Sequence, residues 1–167
     1  MDADSWDDED WLFSQTHLRI LSGLYGLLRP LDRIQPYRLE MNTQLPNPRG
    51  ENLYAFWRHL LTSEITSLIA QHHTPIVINL ASEEYIKAID ISRLPSPMIT
   101  PIFKEARHGR LQVIGLLAKR ARGAMARYMI QNRLKTPEPL QQFTEGGYRF
   151  QAELSNAQQW VFVRGGM

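Results

Sequence analysis

Apolar positions along the chain follow two periods, and the switches between them outline a fold. Leu53, Phe56, Trp57, Leu60, Leu61, Ile65, Leu68 and Ile69 recur at intervals that predict an amphipathic helix over 51–71. A second helix is predicted over 119–134, with Ala121, Ala124, Met125, Tyr128 and Met129 on one arc and Pro137 and Pro139 ending it. A third is predicted over 8–22, entered through carboxylates that suit the positive end of a helix dipole and closed by Gly23. Strand-like runs fall at 76–80, 97–103, 111–118, 148–154 and 160–164, the first reading as a buried central strand. Ser82 is placed to cap a short helix through Ile89. The stretch 42–50 reads as a loop, with two prolines and a glycine, and His108-Gly109 as a turn. This order predicts an α+β protein, a mixed β-sheet flanked by helices in a single unit over 1–167.

One corner breaks the pattern. In HLRILSGLYGLLRPLDRIQPYRLEM, Gly23 and Gly26 bracket a tight turn between two short apolar runs. Glycines there permit backbone angles and close approaches that a side chain forbids. A phosphate can approach the N–H groups of such a corner, and Arg29, Arg33 and Arg38 follow it. An ordinary corner followed by solvated arginines explains the same residues.

Charge sharpens the picture more than composition does. The net charge of +2 conceals six of the 17 acids within residues 2–10, which leaves 19 basic against 11 acidic side chains in the remainder. That acidic lead-in carries Trp6, Trp11, Leu12 and Phe13, too apolar for a free tail. Across 104–135 stand nine basic residues and one acid, Glu105. On the helix at 119–134, Lys119, Arg120, Arg122, Arg127 and Arg133 fall within about 160° of one face. Guanidinium forks on such a face suit phosphates, and the local surplus is the electrostatic footprint of a nucleic-acid binder. A solvated basic helix is the plainer alternative.

Other chemistry finds less support. No cysteine is present, which excludes disulfides, thiolate metal sites and cysteine nucleophiles and suits a reducing cytoplasm. His17, His59, His72, His73 and His108 lack the spacing of a zinc site. No apolar run reaches the length of a membrane span, and the acidic start does not read as a signal peptide. Asn79, Ser82 and Tyr85 follow a predicted strand, where α/β proteins place ligand groups. With Lys119 or Lys104 they could line a pocket, yet no nucleophile–base pair stands out.

The corner run, together with INLASEEY at 78–85, PIFKE at 101–105, AKRARGAMARYMIQNRL at 118–134 and GGYRF at 146–150, closely resembles the YaaA peroxide-stress family. Members of that family begin with a longer segment containing an SPAKT-like motif, so this chain reads as starting about a third of the way into the family's length, short of strands and of one cleft cation. The resemblance implies a cytoplasmic DNA-binding protein of the oxidative stress response. It would protect DNA and limit free intracellular iron. It also implies a single α+β unit with a positively charged cleft and a helix-hairpin-helix-like element, for which the Gly23–Gly26 corner is the candidate. The G-x-x-G spacing there is one residue longer than the usual hairpin.

The leading expectation is sequence-tolerant binding of duplex or locally melted DNA, without cofactor, metal or enzymatic activity. Gly23, Tyr25 and Gly26 would shape the backbone surface, and Tyr25 would stack on an unpaired base. Arg29, Arg33, Arg38, Lys104, Lys119, Arg120 and Arg122 would hold phosphates. The rival expectation is an enzyme acting on a small anionic or nucleotide-like substrate in the same cleft, using Ser82, Tyr85, Lys119 and Glu40. A third is iron sequestration by the carboxylates between Asp2 and Asp10.

Overall fold

The computed structural model describes residues 1–165. Its chain clusters into two compact units, each with its own apolar cluster. The first comprises Met1–Asp10, Ile76–Leu80 and the chain from Pro97 on; the second comprises Trp11–Pro75 and Ala81–Ser96.

A mixed sheet organises the first unit, as an α+β reading expects. Its spine is β4 (Met98–Arg107), flanked in parallel by β3 (Val77–Ile78) and β7 (Gln159–Arg164). Strand β6 (Arg149–Phe150) runs antiparallel to β7, and β5 (Arg110–Gln112) folds back on the far end of β4. Alternation along β4 buries Ile99, Phe103 and Glu105 on one face. Against Phe103 and Phe162 packs helix α4 (Gly115–Gln131), through Ala118, Ala121 and Met125. Those three sit at the helical spacing the sequence displays.

The run at 76–80 is a two-residue edge strand rather than a central one. Pairing with β4 stops after Asn79 donates to the Ile99 carbonyl, because Pro101, the next position facing β3, has no N–H to offer. Helix α4 starts at Gly115, inside the run read as a strand at 111–118. A short continuous apolar run does not distinguish the two states, and Ala118 completes a helical stripe. The expected strand at 148–154 is interrupted after Phe150 by a 3-10 turn at Ala152–Leu154.

Three helices and a hairpin build most of the second unit, the first helix entering it at Trp11. Helix α1 (Asp8–His17) begins in a reciprocal cap: Asp10 N donates to Asp7 Oδ1 at 2.7 Å, and Asp7 N donates to Asp10 Oδ2 at 3.4 Å. It ends at His17, five residues short of the expected end. Strands β1 (Ile20–Ser22) and β2 (Gly26–Leu28) follow as an antiparallel pair. The corner is therefore a β-hairpin, which corrects the placement of a helix-hairpin-helix element there. Leu18, Ile20 and Leu21 fit a helical spacing, but Leu21 and Leu27, a cross-strand pair, both pack on the core. Helix α2 (Leu53–Ile69) is capped by Asn52, which accepts from Ala55 N at 3.0 Å, and buries Leu53 and Leu61. Helix α3 (Glu83–Ile86) is short, and Ser82 precedes it without a side-chain cap bond. Trp6 is buried as expected, whereas Leu12 is 71% exposed.

Candidate nucleic-acid interface

Helix α4 carries cations along the face opposite its core stripe, and the two ends of that face differ. Near the start, Lys119 and Arg120 are exposed. Neither makes an ion pair among the described residues. Arg122 is half-buried, and its Nε donates to the Ala118 carbonyl at 3.4 Å. Burial draws its pKa below the usual arginine value.

Further along, the helix is already neutralised. Arg127 bonds Glu145 at 2.5 Å and Asp2 at 3.0 Å, and the Glu145 bond holds its pKa above the ordinary value. Arg133 sits between Asp7, Glu9 and Asp10, at 3.3, 3.0 and 3.3 Å. Its φ of 48° is left-handed, a conformation found just past helix ends. The acidic lead-in thus does more than start a helix: it straps the C-terminal half of the basic face. That half, Arg127 and Arg133, is not free for phosphates in this conformation. Nor do its carboxylates form a vacant metal cage, since they face guanidinium groups. Among the described residues no three His, Asp or Glu side chains converge as a metal site.

In the second unit both corner glycines are buried. A Cβ on Gly23 would stand 2.5 Å from the Leu39 carbonyl oxygen, and one on Gly26 would stand 2.6 Å from the Trp57 ring. Trp57 Nε1 donates to the Gly23 carbonyl at 2.9 Å. The glycines are thus required by packing inside the unit. Tyr25 is half-buried; its hydroxyl accepts from Gln35 N at 3.1 Å, and its ring meets Tyr37 edge-on at 5.4 Å. Ser22 Oγ ties the same turn together, accepting from Tyr25 N at 2.9 Å and bonding Tyr37 Oη at 2.5 Å. Of the arginines that follow, Arg29 pairs with Asp32 at 3.1 Å. Arg33 and Arg38 are exposed. They make no ion pair among the described residues.

Lys104 belongs to the other face of the first unit's sheet. It alternates with Phe103, whose ring packs toward α4, so it does not join Lys119 and Arg120. Its neighbour Glu105 is buried and fully engaged. Tyr148 Oη donates to Glu105 Oε1 at 2.5 Å, and Arg164 Nε donates to Oε2 at 2.9 Å. Burial pushes the Glu105 carboxyl up, but the Tyr148 and Arg164 hydrogen bonds outweigh it and leave the pKa lowered. Tyr148 is pushed up to about 12 by burial and by the carboxylate it faces.

The residues of the enzymatic alternative show no activated pair. Ser82 carries no cap bond, Glu40 is exposed, and burial followed by Glu84 raises the Tyr85 pKa. Asn79 Nδ2 donates to Thr100 Oγ1 at 3.3 Å. Sequence reasoning missed Arg149, which is exposed on the same sheet face as Lys104. The signal was present in GGYRF: if Tyr148 and Phe150 face the core, the residue between them faces away. Among the described residues no helix is long and apolar enough to cross a membrane.

Comparison with known proteins agrees over almost the whole chain. A UPF0246 protein of Magnetococcus marinus is 56% identical over 164 residues, covering 98% of this chain and 64% of the relative. UPF0246 proteins of Legionella pneumophila and Ralstonia nicotianae are each 49% identical, with the same coverage of 98% and 64%. The chain therefore spans somewhat under two thirds of the length of these curated relatives. The sequence profile of the family described as peroxide stress protein YaaA matches residues 1–154. On that match, the chain belongs to the peroxide stress protein YaaA family.

Proposed function

We propose that this chain takes part in the peroxide-stress response by binding DNA with little regard to sequence, protecting it and limiting free intracellular iron. The family's description supports the stress role. The observation that carries DNA binding is the unpaired cationic start of α4, where Lys119 and Arg120 are exposed beside the desolvated Arg122. Arg33 and Arg38 offer further phosphate contacts on the second unit. Contacts of this kind orient a nucleic-acid backbone without reading bases.

Salt-series titrations with duplex, bubble and single-stranded DNA test the reading. The logarithm of affinity is expected to fall linearly with the logarithm of salt, with a slope of about −0.9 per phosphate neutralised on duplex. A Lys119→Ala/Arg120→Ala/Arg122→Ala variant should lower the slope by roughly 2–3 and weaken binding to every sequence alike. Unchanged affinity in a folded variant would rule out α4 as the interface.

A second expectation concerns the strap. An Asp2→Asn/Asp7→Asn/Glu9→Gln variant removes negative charge facing Arg127 and Arg133 while keeping a good N-cap at position 7. Affinity for duplex DNA at low salt should rise by about tenfold, at a few tenths to 1 kcal/mol per charge. The salt slope should steepen with it. A melting curve distinguishes this from a loosened α1.

A further inference from the structure

The GGYRF run accounts for itself except at one position. Tyr148 bonds Glu105 and packs edge-on against Phe103, and Phe150 packs against Phe162 and Trp160. Gly146 and Gly147 adopt φ of 66° and 81° in the turn before them. Arg149 is left over. It is exposed, and among the described residues it makes no ion pair.

Strand register gives Arg149 a neighbour. It pairs with Val163, and Val163 pairs with Lys104, so two cations flank one valine in a row across three strands. Strands spaced about 4.8 Å apart put their Cα atoms roughly 10 Å from each other, within reach of a common point above Val163. A cavity of about 290 Å³ opens on this face, lined by Leu111, Arg149, Gln151, Leu154 and Val163. Leu111, Leu154 and Val163 form its apolar part, Arg149, Gln151 and the Gly147 and Gly165 backbone its polar part, and Lys104 stands beside it on the far side of Val163.

We propose that this cavity is a nucleoside phosphate site. Lys104 and Arg149 hold the phosphoryl oxygens, since a guanidinium fork and an ammonium group suit them. The base lies against Leu111, Leu154 and Val163, with the Gln151 amide at its edge. At about 290 Å³ the cavity lies just below the usual range of small-molecule pockets, about 300–1,000 Å³, so its occupant is no larger than one nucleotide. That nucleotide is either free or a single unstacked member of a strand. The inference concerns the sheet face opposite α4 and stands or falls without the DNA reading above.

Calorimetric titration of the full chain with dAMP, dTMP and a short oligothymidylate tests it. A dissociation constant on the order of 0.1–1 mM is expected for at least one probe at low salt. Arg149→Ala and Lys104→Ala should each weaken it about tenfold, while Lys119→Ala/Arg120→Ala leaves mononucleotide binding unchanged. Oligothymidylate binding that is tighter than dTMP and equally dependent on Arg149 assigns the site to a strand; equal or mononucleotide-only binding assigns it to a free nucleotide. No heat with any probe at about 5 mM, or binding indifferent to both alanine variants, overturns the proposal. Because the Arg149 side chain is exposed, Arg149→Ala decides the matter if Lys104→Ala alters folding. Loss of duplex binding in the Lys119/Arg120 variant, with mononucleotide binding absent throughout, would spare the DNA reading and end this one alone.

Discussion

Replacing Arg164 with alanine should cost about 3 kcal/mol or more of folding stability. Its partner Glu105 has a side chain only 6% exposed, and Arg164 reaches it with Nε and Nη2, both at 2.9 Å. Without the guanidinium, a buried carboxylate keeps Tyr148 as its one strong donor. Arg164 also lies over the Tyr148 ring at 5.0 Å and donates to the Gly146 carbonyl at 3.3 Å, so the loss spreads into the turn before β6. The pH dependence has a definite sign at each end. Glu105 has a folded pKa below the ordinary glutamate value of 4.5, so its contribution is present above that value and lost as pH falls through the lowered folded pKa. Tyr148 is raised from 10.0 to about 12, so its contribution is present below pH 10 and is lost as pH rises toward 12. Urea midpoints measured against pH should therefore drop at both extremes. Tyr148→Phe should flatten the alkaline drop and cost about 1–3 kcal/mol at neutral pH.

The second large effect is expected at Gly26. Alanine there meets a φ of 77°, worth about 1–2 kcal/mol, and forces a Cβ to 2.6 Å from the Trp57 ring, worth about 1–3 kcal/mol more. Thermal melting should fall by several degrees, and tryptophan fluorescence should shift as Trp57 moves off the hairpin. This variant separates two roles for the corner. If Gly26 serves packing, stability falls first and DNA affinity follows only where the fold is lost. A variant that keeps its melting temperature and loses DNA affinity would return Gly26 to the interface.

These two variants also show which parts of the molecule its sequence discloses. The face of α4 that meets the sheet was legible, because Ala121, Met125 and Tyr128 recur at helical intervals that chance rarely produces. The hairpin at Ile20–Leu28 was not. Each strand is three residues long, too short for period two to outvote period three, and Gly23 terminates a helix as readily as it opens a turn. Local reading fails differently at the strap. Arg133 and Asp7 meet across 126 positions, and nothing near either residue announces the other. A basic helix face therefore looked continuous in sequence and is half covered in the structure. Arg149 was legible in principle from the alternation in GGYRF, but charge counting over 104–135 drew attention elsewhere.

The placement of β7 has a consequence for biosynthesis. This strand is made well after β4, yet it lies in the interior of its sheet, between β4 and β6. Its partner β4 leaves the ribosome some fifty residues earlier and must wait with an open edge, at a translation speed of about 5–20 residues per second. Such unpaired edges are where nascent chains associate wrongly. A message truncated before residue 159 would thus yield a sheet cleaved through its middle, and a substrate for quality control.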